Sequence, residues 1–271
     1  MIVDYHMHLR APDESLLHTA EAIEPYVETA RARNIDEIGF TEHVYYFRQT
    51  RELWDVPYHA KRCTYDLDDY VDAVVEAKDR GLPVKLGLEV DFHPDRVEET
   101  REILAPYPWD YLLGSIHFID GLALDGQPSL IDELSEEQAW ERYFEQLRQC
   151  ARSGLVDVLS HPDLVKFFGR RPPRAQVAAE HSALVDALVG TDVCLEVSSA
   201  GLHKPVGEVY PDVELLEAAR PVGVAITLAS DAHVPENVGR DLDRAVERAR
   251  AAGYATVTVF EAREQRQEPI G

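Results

Sequence analysis

The sequence predicts an α/β barrel built as a single domain over residues 1–271. Three observations carry that expectation. Short apolar runs alternate with longer amphipathic ones along almost the whole chain, which implies parallel strands joined by helices in βαβ units. Seven of the apolar runs lead into helical stretches, with imidazole or carboxylate residues at their carboxyl ends. The chain length of 271 residues suits one barrel, whose usual size is about 250.

Taken in order, residues 2–5 read as the first strand, and residues 19–33 show helical spacing through Ala22, Ile23, Tyr26, Val27 and Ala30. Residues 37–41 form a strand that runs into Glu42-His43. Residues 44–65, rich in aromatics and arginines and without a clear period, read as a long loop and a candidate lid. Residues 67–80 form a helix stopped by Gly81 and Pro83, residues 84–90 a strand carrying Glu89 near its end, and residues 95–104 a helix. A strand over 111–118 presents His117, a glycine-rich loop follows over 120–127, and the Ser-Glu-Glu-Gln sequence from Ser135 has the form of a capping box opening the next helix. Strands over 156–160, 193–197 and 224–229 run into His161-Pro162, Ser198-Ser199 and Ser230-Asp231-Ala232-His233. Helices are expected over 175–189, 213–219 and 235–252, and a last short strand over 254–260.

Composition narrows the function classes. Hydrophobic residues make up 45% of the chain, ample for a core. The formal net charge of −23 argues against a nucleic-acid partner, which needs a basic surface to neutralise phosphates. No apolar run approaches the ~18 residues of a membrane span. Met1-Ile2-Val3 enters the first strand without the basic start and long apolar region of a secretory leader, so no leader is expected. Cys63, Cys150 and Cys194 are odd in number and far apart, which fits buried thiols in a reducing cytoplasm.

The chemistry centres on Asp4-Tyr5-His6-Met7-His8. In an extended strand the side chains at i and i+2 point the same way, so His6 and His8 project together and can grip one metal. Alone the pair is weak, because 11 histidines in 271 residues give roughly 0.4 such pairs by accident. Barrel geometry adds the rest: the carboxyl ends of the strands form the face where sites are built, and it gathers His6, His8, His43, Glu89, His117, His161, Asp231 and His233. His59, His93 and His181 fall in loops or on helix faces and read as solvated or merely packed. One zinc ion uses three or four protein ligands, so the converging set points to two or three metals sharing a bridging carboxylate. Nitrogen and oxygen donors suit zinc, manganese or iron. Three divalent ions carry more charge than Glu89 and Asp231 cancel, leaving about +4 for external anions. A bridging hydroxide and a phosphate dianion meet that need, which favours metal-assisted phosphoester hydrolysis.

Asp4-Tyr5-His6-Met7-His8, Thr41-Glu42-His43, Gly87-Leu88-Glu89, Gly114-Ser115-Ile116-His117, Ser160-His161-Pro162-Asp163, Glu196-Val197-Ser198-Ser199-Ala200-Gly201-Leu202 and Ser230-Asp231-Ala232-His233 occur in that order and at characteristic spacings. Together they resemble the polymerase and histidinol phosphatase (PHP) family, in its histidinol-phosphatase branch, from Asp4 to about Gly253. The resemblance implies a distorted (β/α)7 TIM-like barrel around three divalent ions. Carried over residue by residue, His6, His8, Glu89 and Asp231 hold one metal, Glu89 bridges to a second held by His117 and His161, and His43, His233 and His18 hold the third. The role of His18 rests on the resemblance alone. By the same analogy a hydroxide bridging two metals attacks phosphorus in line, and a central Asp or His, Asp231 or His233, is the candidate catalytic group that protonates the leaving alkoxide. Candidate phosphate partners are Arg48, Arg51, Lys166, His203 and Lys204, with the last two favoured. Asp4, two residues before a ligand, is expected to orient an imidazole. Glu42, Asp91 and Asp163 are available to a substrate amine. Ser198-Ser199 stands where this branch usually has an Asn-Thr or similar pair, and His203 where Arg is common. Both departures bear on histidinol phosphate as the substrate more than on phosphatase activity.

The expected function is therefore hydrolysis of a small phosphate monoester, L-histidinol phosphate to L-histidinol and phosphate, in histidine biosynthesis. A second reading within hydrolases is a PHP phosphoesterase acting on a nucleotide, a sugar phosphate or a phosphotyrosine protein. A reading from another class is a non-catalytic, metal-stabilised binding module, in which His117→Ala would lower stability without an enzymatic phenotype.

Overall fold

Alternation of strand and helix sets the topology of the computed structural model, which describes residues 1–9, 18–126 and 133–271. The last residue of the glycine-rich loop, at 127, lies outside the described residues. The elements are β1 (Val3–Asp4), α1 (Ala20–Ala32), β2 (Glu37–Phe40), α2 (Pro57–Ala60), α3 (Leu67–Asp79), β3 (Val84–Asp91), α4 (Val97–Leu104), β4 (Tyr111–Ser115), β5 (Phe118–Ile119), β6 (Leu122–Ala123), α5 (Glu136–Arg152), β7 (Val158–Leu159), α6 (Arg174–Leu188), β8 (Cys194–Ser198), α7 (Val213–Ala219), β9 (Ile226–Ala229), α8 (Leu242–Ala251), β10 (Thr256–Glu261) and β11 (Glu264–Pro269).

Seven strands pair in parallel in the order β1-β2-β3-β4-β7-β8-β9. The sheet closes on itself, because the Tyr5 N–H donates to the Leu228 carbonyl at 3.0 Å and Met7 forms a parallel bridge with Ala232. Closure is what turns seven separate strand ends into one mouth. Every residue of β3 is buried, as expected of a strand covered on both faces.

Local signals place the surrounding helices. Thr19 caps α1 by accepting from the Ala22 N–H at 3.3 Å, and the face that α1 buries carries Ile23, Tyr26, Val27 and Ala30, four of the five residues with helical spacing, while Ala22 is only half-buried. The capping box at Ser135 forms in both directions, at 3.2 Å and 3.1 Å. Residues 44–65 are less irregular than their composition implies: they contain 3-10 turns at Val44–Tyr46 and Arg48–Leu53 and then α2.

Three elements differ from the sequence expectation. The run over 111–118 is strand only to Ser115; it then leaves the barrel and turns into the β5–β6 hairpin through Asp120 and Gly121, both with positive φ. The helix expected over 235–252 begins as a 3-10 turn, Pro235–Asn237, and becomes α-helical only from Leu242, after Gly239 and Asp241 adopt left-handed conformations. The last strand lies outside the barrel. It pairs antiparallel with β11 around Ala262 and Arg263, both left-handed, a turn geometry usually marked by Asn-Gly. The hairpin covers the amino end of the barrel, where Phe260 stacks on Tyr111 at 5.1 Å and packs against Tyr5 at 5.8 Å.

That end is tightly filled. A Cβ on Gly39 would overlap the Tyr111 hydroxyl and approach its Cζ to 2.9 Å, and Tyr111 is fixed by donating to the Tyr5 carbonyl at 2.7 Å. Gly39→Ala is expected to cost ~1–3 kcal/mol, read as a lower urea midpoint at unchanged m-value. Cys63, Cys150 and Cys194 are free and buried, and burial pushes the thiols of Cys150 and Cys194 up. Among the described residues, no helix is long and apolar enough to cross a membrane.

Candidate metal centre

Glu89, near the end of β3, is the hub. Its Oε1 lies 3.4 Å from His6 Nε2, 3.4 Å from His117 Nε2 and 3.2 Å from His161 Nε2. Its Oε2 lies 2.7 Å from His43 Nδ1 and 3.7 Å from His8 Nε2. His6 and His8 leave β1 on the same side, and their Nε2 atoms lie 3.8 Å and 3.4 Å from Asp231 Oδ1. His161 and Asp231 are held with positive φ, a backbone cost of order 1–3 kcal/mol that persists where a site demands a particular side-chain direction.

Four groups bring their donor atoms within 4.8 Å of one another: His6, His8 and Asp231; His6, Glu89 and His161; His8, His43 and His233; His43, Asp91 and His117. All eight residues expected at the strand ends are thus gathered, and Asp91 joins them.

The donor atoms are buried and short of partners. His6 Nε2, both ring nitrogens of His8, His43 Nδ1, His161 Nδ1 and Glu89 Oε2 make no hydrogen bond. Buried polar atoms in that state are costly, about 1–3 kcal/mol each, unless something else binds them. Lone pairs of nitrogen and oxygen converging at a closed mouth fit a divalent cation.

Electrostatics agree. Burial opposes a charged His6, but Glu196, Glu89 and Asp231 outweigh it and raise its pKa well above the usual value. Burial likewise opposes charge on His117, yet Asp91 and Glu89 push it up to about 10. Burial would raise the pKa of Glu89, and the imidazoles of His43, His6 and His117 instead hold it well below the usual carboxylate range. The carboxylates therefore call for positive charge at this place.

Carboxylates orient the rings from behind. Glu196 Oε2 lies 2.8 Å from His6 Nδ1 and its Oε1 accepts from the His161 N–H at 3.0 Å. Asp91 Oδ1 lies 2.7 Å from His117 Nδ1, and Glu42 Oε2 3.5 Å from His8 Nδ1. Ser115 donates to Glu89 Oε1 at 2.6 Å. Such partners fix which nitrogen faces the centre.

Several expected roles change. Asp4 touches no imidazole: it accepts from the Ser230 N–H at 2.8 Å, the Ser230 hydroxyl at 2.5 Å and the Gly239 N–H at 2.8 Å, bracing the segment after β9. Burial pushes its carboxyl up to about 6. His18 stands outside all four groups, with its ring against Phe47, Tyr65 and Tyr70 at 5.3–5.6 Å. Lys166 is fully buried and neutralised by Asp163 at 2.7 Å and Asp212 at 2.6 Å, so it is no free phosphate partner. Asp163 is used by Lys166, Asp91 by the His117 ring, and Glu42 accepts from the Leu9 N–H. Arg48 pairs with Asp66 at 2.5 Å, and Arg51 donates to the Ala60 carbonyl at 2.6 Å, so both hold the 44–65 segment together. His203 reaches Asp241 at 2.8 Å.

Lys204 lies beside the cluster. With Asp231, His233 and His203 it lines a cavity of about 250 Å3, joined by Asn237 and Arg240, which the sequence did not single out. Ser199 donates to the Arg240 carbonyl at 2.6 Å, and Ser198 accepts from the Ala200 N–H at 3.3 Å, so this serine pair shapes the cavity's backbone. Glu196 was legible in part: a carboxylate inside the apolar run VCLEV has to be paired in a buried strand.

The comparisons with known proteins bear on this geometry. A family model, the PHP domain, matches residues 4–200. A probable histidinol-phosphatase of Deinococcus radiodurans is 33% identical over 247 residues, covering 89% of this chain and 91% of the relative. The histidinol-phosphatase of Lactococcus lactis is 22% identical over 267 residues, covering 95% and 94%. Among solved structures, the crystal structure of the Lactococcus lactis histidinol phosphate phosphatase, complexed with zinc, L-histidinol and phosphate, is similar with a TM-score of 0.77 at 20% identity over 98% of both chains.

Proposed function

The chain belongs to the PHP domain family, and on that premise we propose that it is a metal-dependent phosphatase hydrolysing L-histidinol phosphate to L-histidinol and phosphate. The observation that carries the reading is the shell of orphaned donor atoms around Glu89, backed by relatives named histidinol-phosphatase along nearly the whole chain. Three divalent ions are proposed, of zinc, manganese or iron: one at His6, His8, Glu89 and Asp231, a second at Glu89, His117 and His161, and a third at His43 and His233. Free, buried thiols support a cytoplasmic setting.

Bound there, the ions supply the positive charge that polarises a phosphate ester and lowers the pKa of water. The chain supplies the rest. Lys204 and Arg240, on the cavity beside Asp231 and His233, receive phosphoryl oxygens. Asp231 or His233 takes up the proton released by the attacking water and delivers it to the leaving alkoxide. Glu196 and Asp91 hold the imidazoles of His6 and His117 in the tautomer that turns a lone pair inward.

Purified protein should contain about three metal equivalents by elemental analysis. It should release phosphate from histidinol phosphate faster than from generic phosphate monoesters. Equal turnover of all esters would remove the substrate assignment, and one metal equivalent or none would remove the trinuclear one.

A further inference from the structure

Ser230, Asp231, His233, Asn237 and Arg240 all line the cavity beside the cluster, and all lie on one segment, the connection from β9 to α8. The two ends of that segment meet on a single side chain. Asp4 Oδ1 accepts from the Ser230 N–H at 2.8 Å, and its Oδ2 accepts from the Ser230 hydroxyl at 2.5 Å and the Gly239 N–H at 2.8 Å. The Gly239 N–H also lies 3.1 Å from the Ser230 hydroxyl oxygen. Residues 230 and 239 are thereby drawn together, and the residues between them form a loop whose neck is this carboxylate. Burial alone does not set the loop's shape, because between its ends only Ala232 and Val238 are buried. The backbone is left-handed at Asp231, with φ 53°, a conformation that persists in a residue other than glycine where its surroundings enforce it. Ser230, the residue immediately before, is held by Asp4 through both its N–H and its hydroxyl.

The choice of an acid at this position is informative. Asp4 is fully buried, and among the described residues no lysine or arginine pairs with it, so its charge is met by hydrogen-bond donors. A buried carboxylate without a counter-ion is costly. What it achieves here is to gather three donors on two oxygens, which an amide, with one oxygen, cannot do. Asp4 belongs to none of the four donor groups of the cluster and does not line the cavity. We propose that Asp4 is a positioning residue for the reaction: by closing the neck of the 230–239 loop it fixes how Asp231 and His233 face the cluster and where Asn237, and Arg240 just past the neck, stand on the cavity. The consequence for turnover rests on the proposed phosphatase reading; the hold on the loop does not.

The test uses full-length protein loaded with zinc to equal metal content, comparing wild type with Asp4→Asn, Ser230→Ala and the double variant. Amide hydrogen exchange in Asp4→Asn should rise about tenfold within residues 230–241 and keep its wild-type rate in β2, β3 and β4. Affinity for inorganic phosphate, titrated calorimetrically, and kcat on histidinol phosphate should each fall about 10–100-fold, the range found when a partner that orients ligands is removed. Because Asp4 and Ser230 act through one contact, Ser230→Ala should cause much less further loss in the Asp4→Asn background than it causes alone. Wild-type exchange in 230–241 overturns the inference, and so does exchange raised equally across the barrel, the signature of a general loss of core stability. Raised exchange confined to the loop with wild-type kcat and phosphate affinity overturns it too, since the neck would then serve stability alone. Should Asp4→Asn fail to fold, Ser230→Ala decides by the same readouts, with severalfold changes expected. A wild type that hydrolyses no phosphate ester overturns the phosphatase reading instead, and loop exchange with phosphate affinity then decides for Asp4.

Discussion

Glu89→Gln is expected to lower kcat on histidinol phosphate by about 10³-fold and to strip the protein of bound metal. The side chains have the same shape, so the change removes charge and replaces one acceptor by a donor. Five imidazoles face this one carboxylate at 2.7–3.7 Å, and every one of them shares a proposed ion with it or with a neighbour. An amide NH2 directed at the same nitrogens would repel a cation as well as fail to bind it. Because Glu89 is buried at the end of a strand paired on both sides, the barrel should survive. Circular dichroism and elemental analysis run with the kinetics separate a lost centre from a lost fold. Full metal content with kcat within tenfold of wild type would show that Glu89 is not the shared ligand.

Removing metal altogether should have the second-largest effect. A strong chelator is expected to abolish turnover and to lower Tm by on the order of 10 °C, since a ligand held at a thousand times its Kd stabilises by about 4 kcal/mol. The physical reason is the same set of unsatisfied atoms: without cations, buried carboxylates and ring nitrogens remain with only one another. Adding back zinc, manganese and iron in turn, and following both Tm and phosphate release, ranks the ions for this donor set. An unchanged Tm after complete metal removal would mean that the cluster is satisfied internally.

Much of this was legible in the sequence because a barrel converts sequence order into spatial convergence. His6, His43, Glu89, His161 and Asp231 lie at or just beyond the carboxyl ends of strands, so identifying the strands was enough to bring them together. The fold failed to show where backbone conformation has no residue marker: the β10–β11 turn uses Ala262 and Arg263, and β11 is too polar to look like a strand. Partnerships were the least visible layer. Proximity in sequence tied Asp4 to His6, whereas Glu196, 190 residues away, is the carboxylate that holds that ring. Lys166 looked free because Asp212, which neutralises it, lies 46 residues downstream. His59 read as one more packed histidine; only its neighbours show that its ring nitrogens have been left without partners.

The β10–β11 hairpin has a further consequence. With Tyr5, Tyr111 and Phe260 filling the amino end, the described residues close the barrel there and leave the carboxyl rim as the approach to the cluster. Substrate enters and both products depart across the same rim, so alcohol and phosphate must queue, and whichever lingers stands in the way of the next turnover.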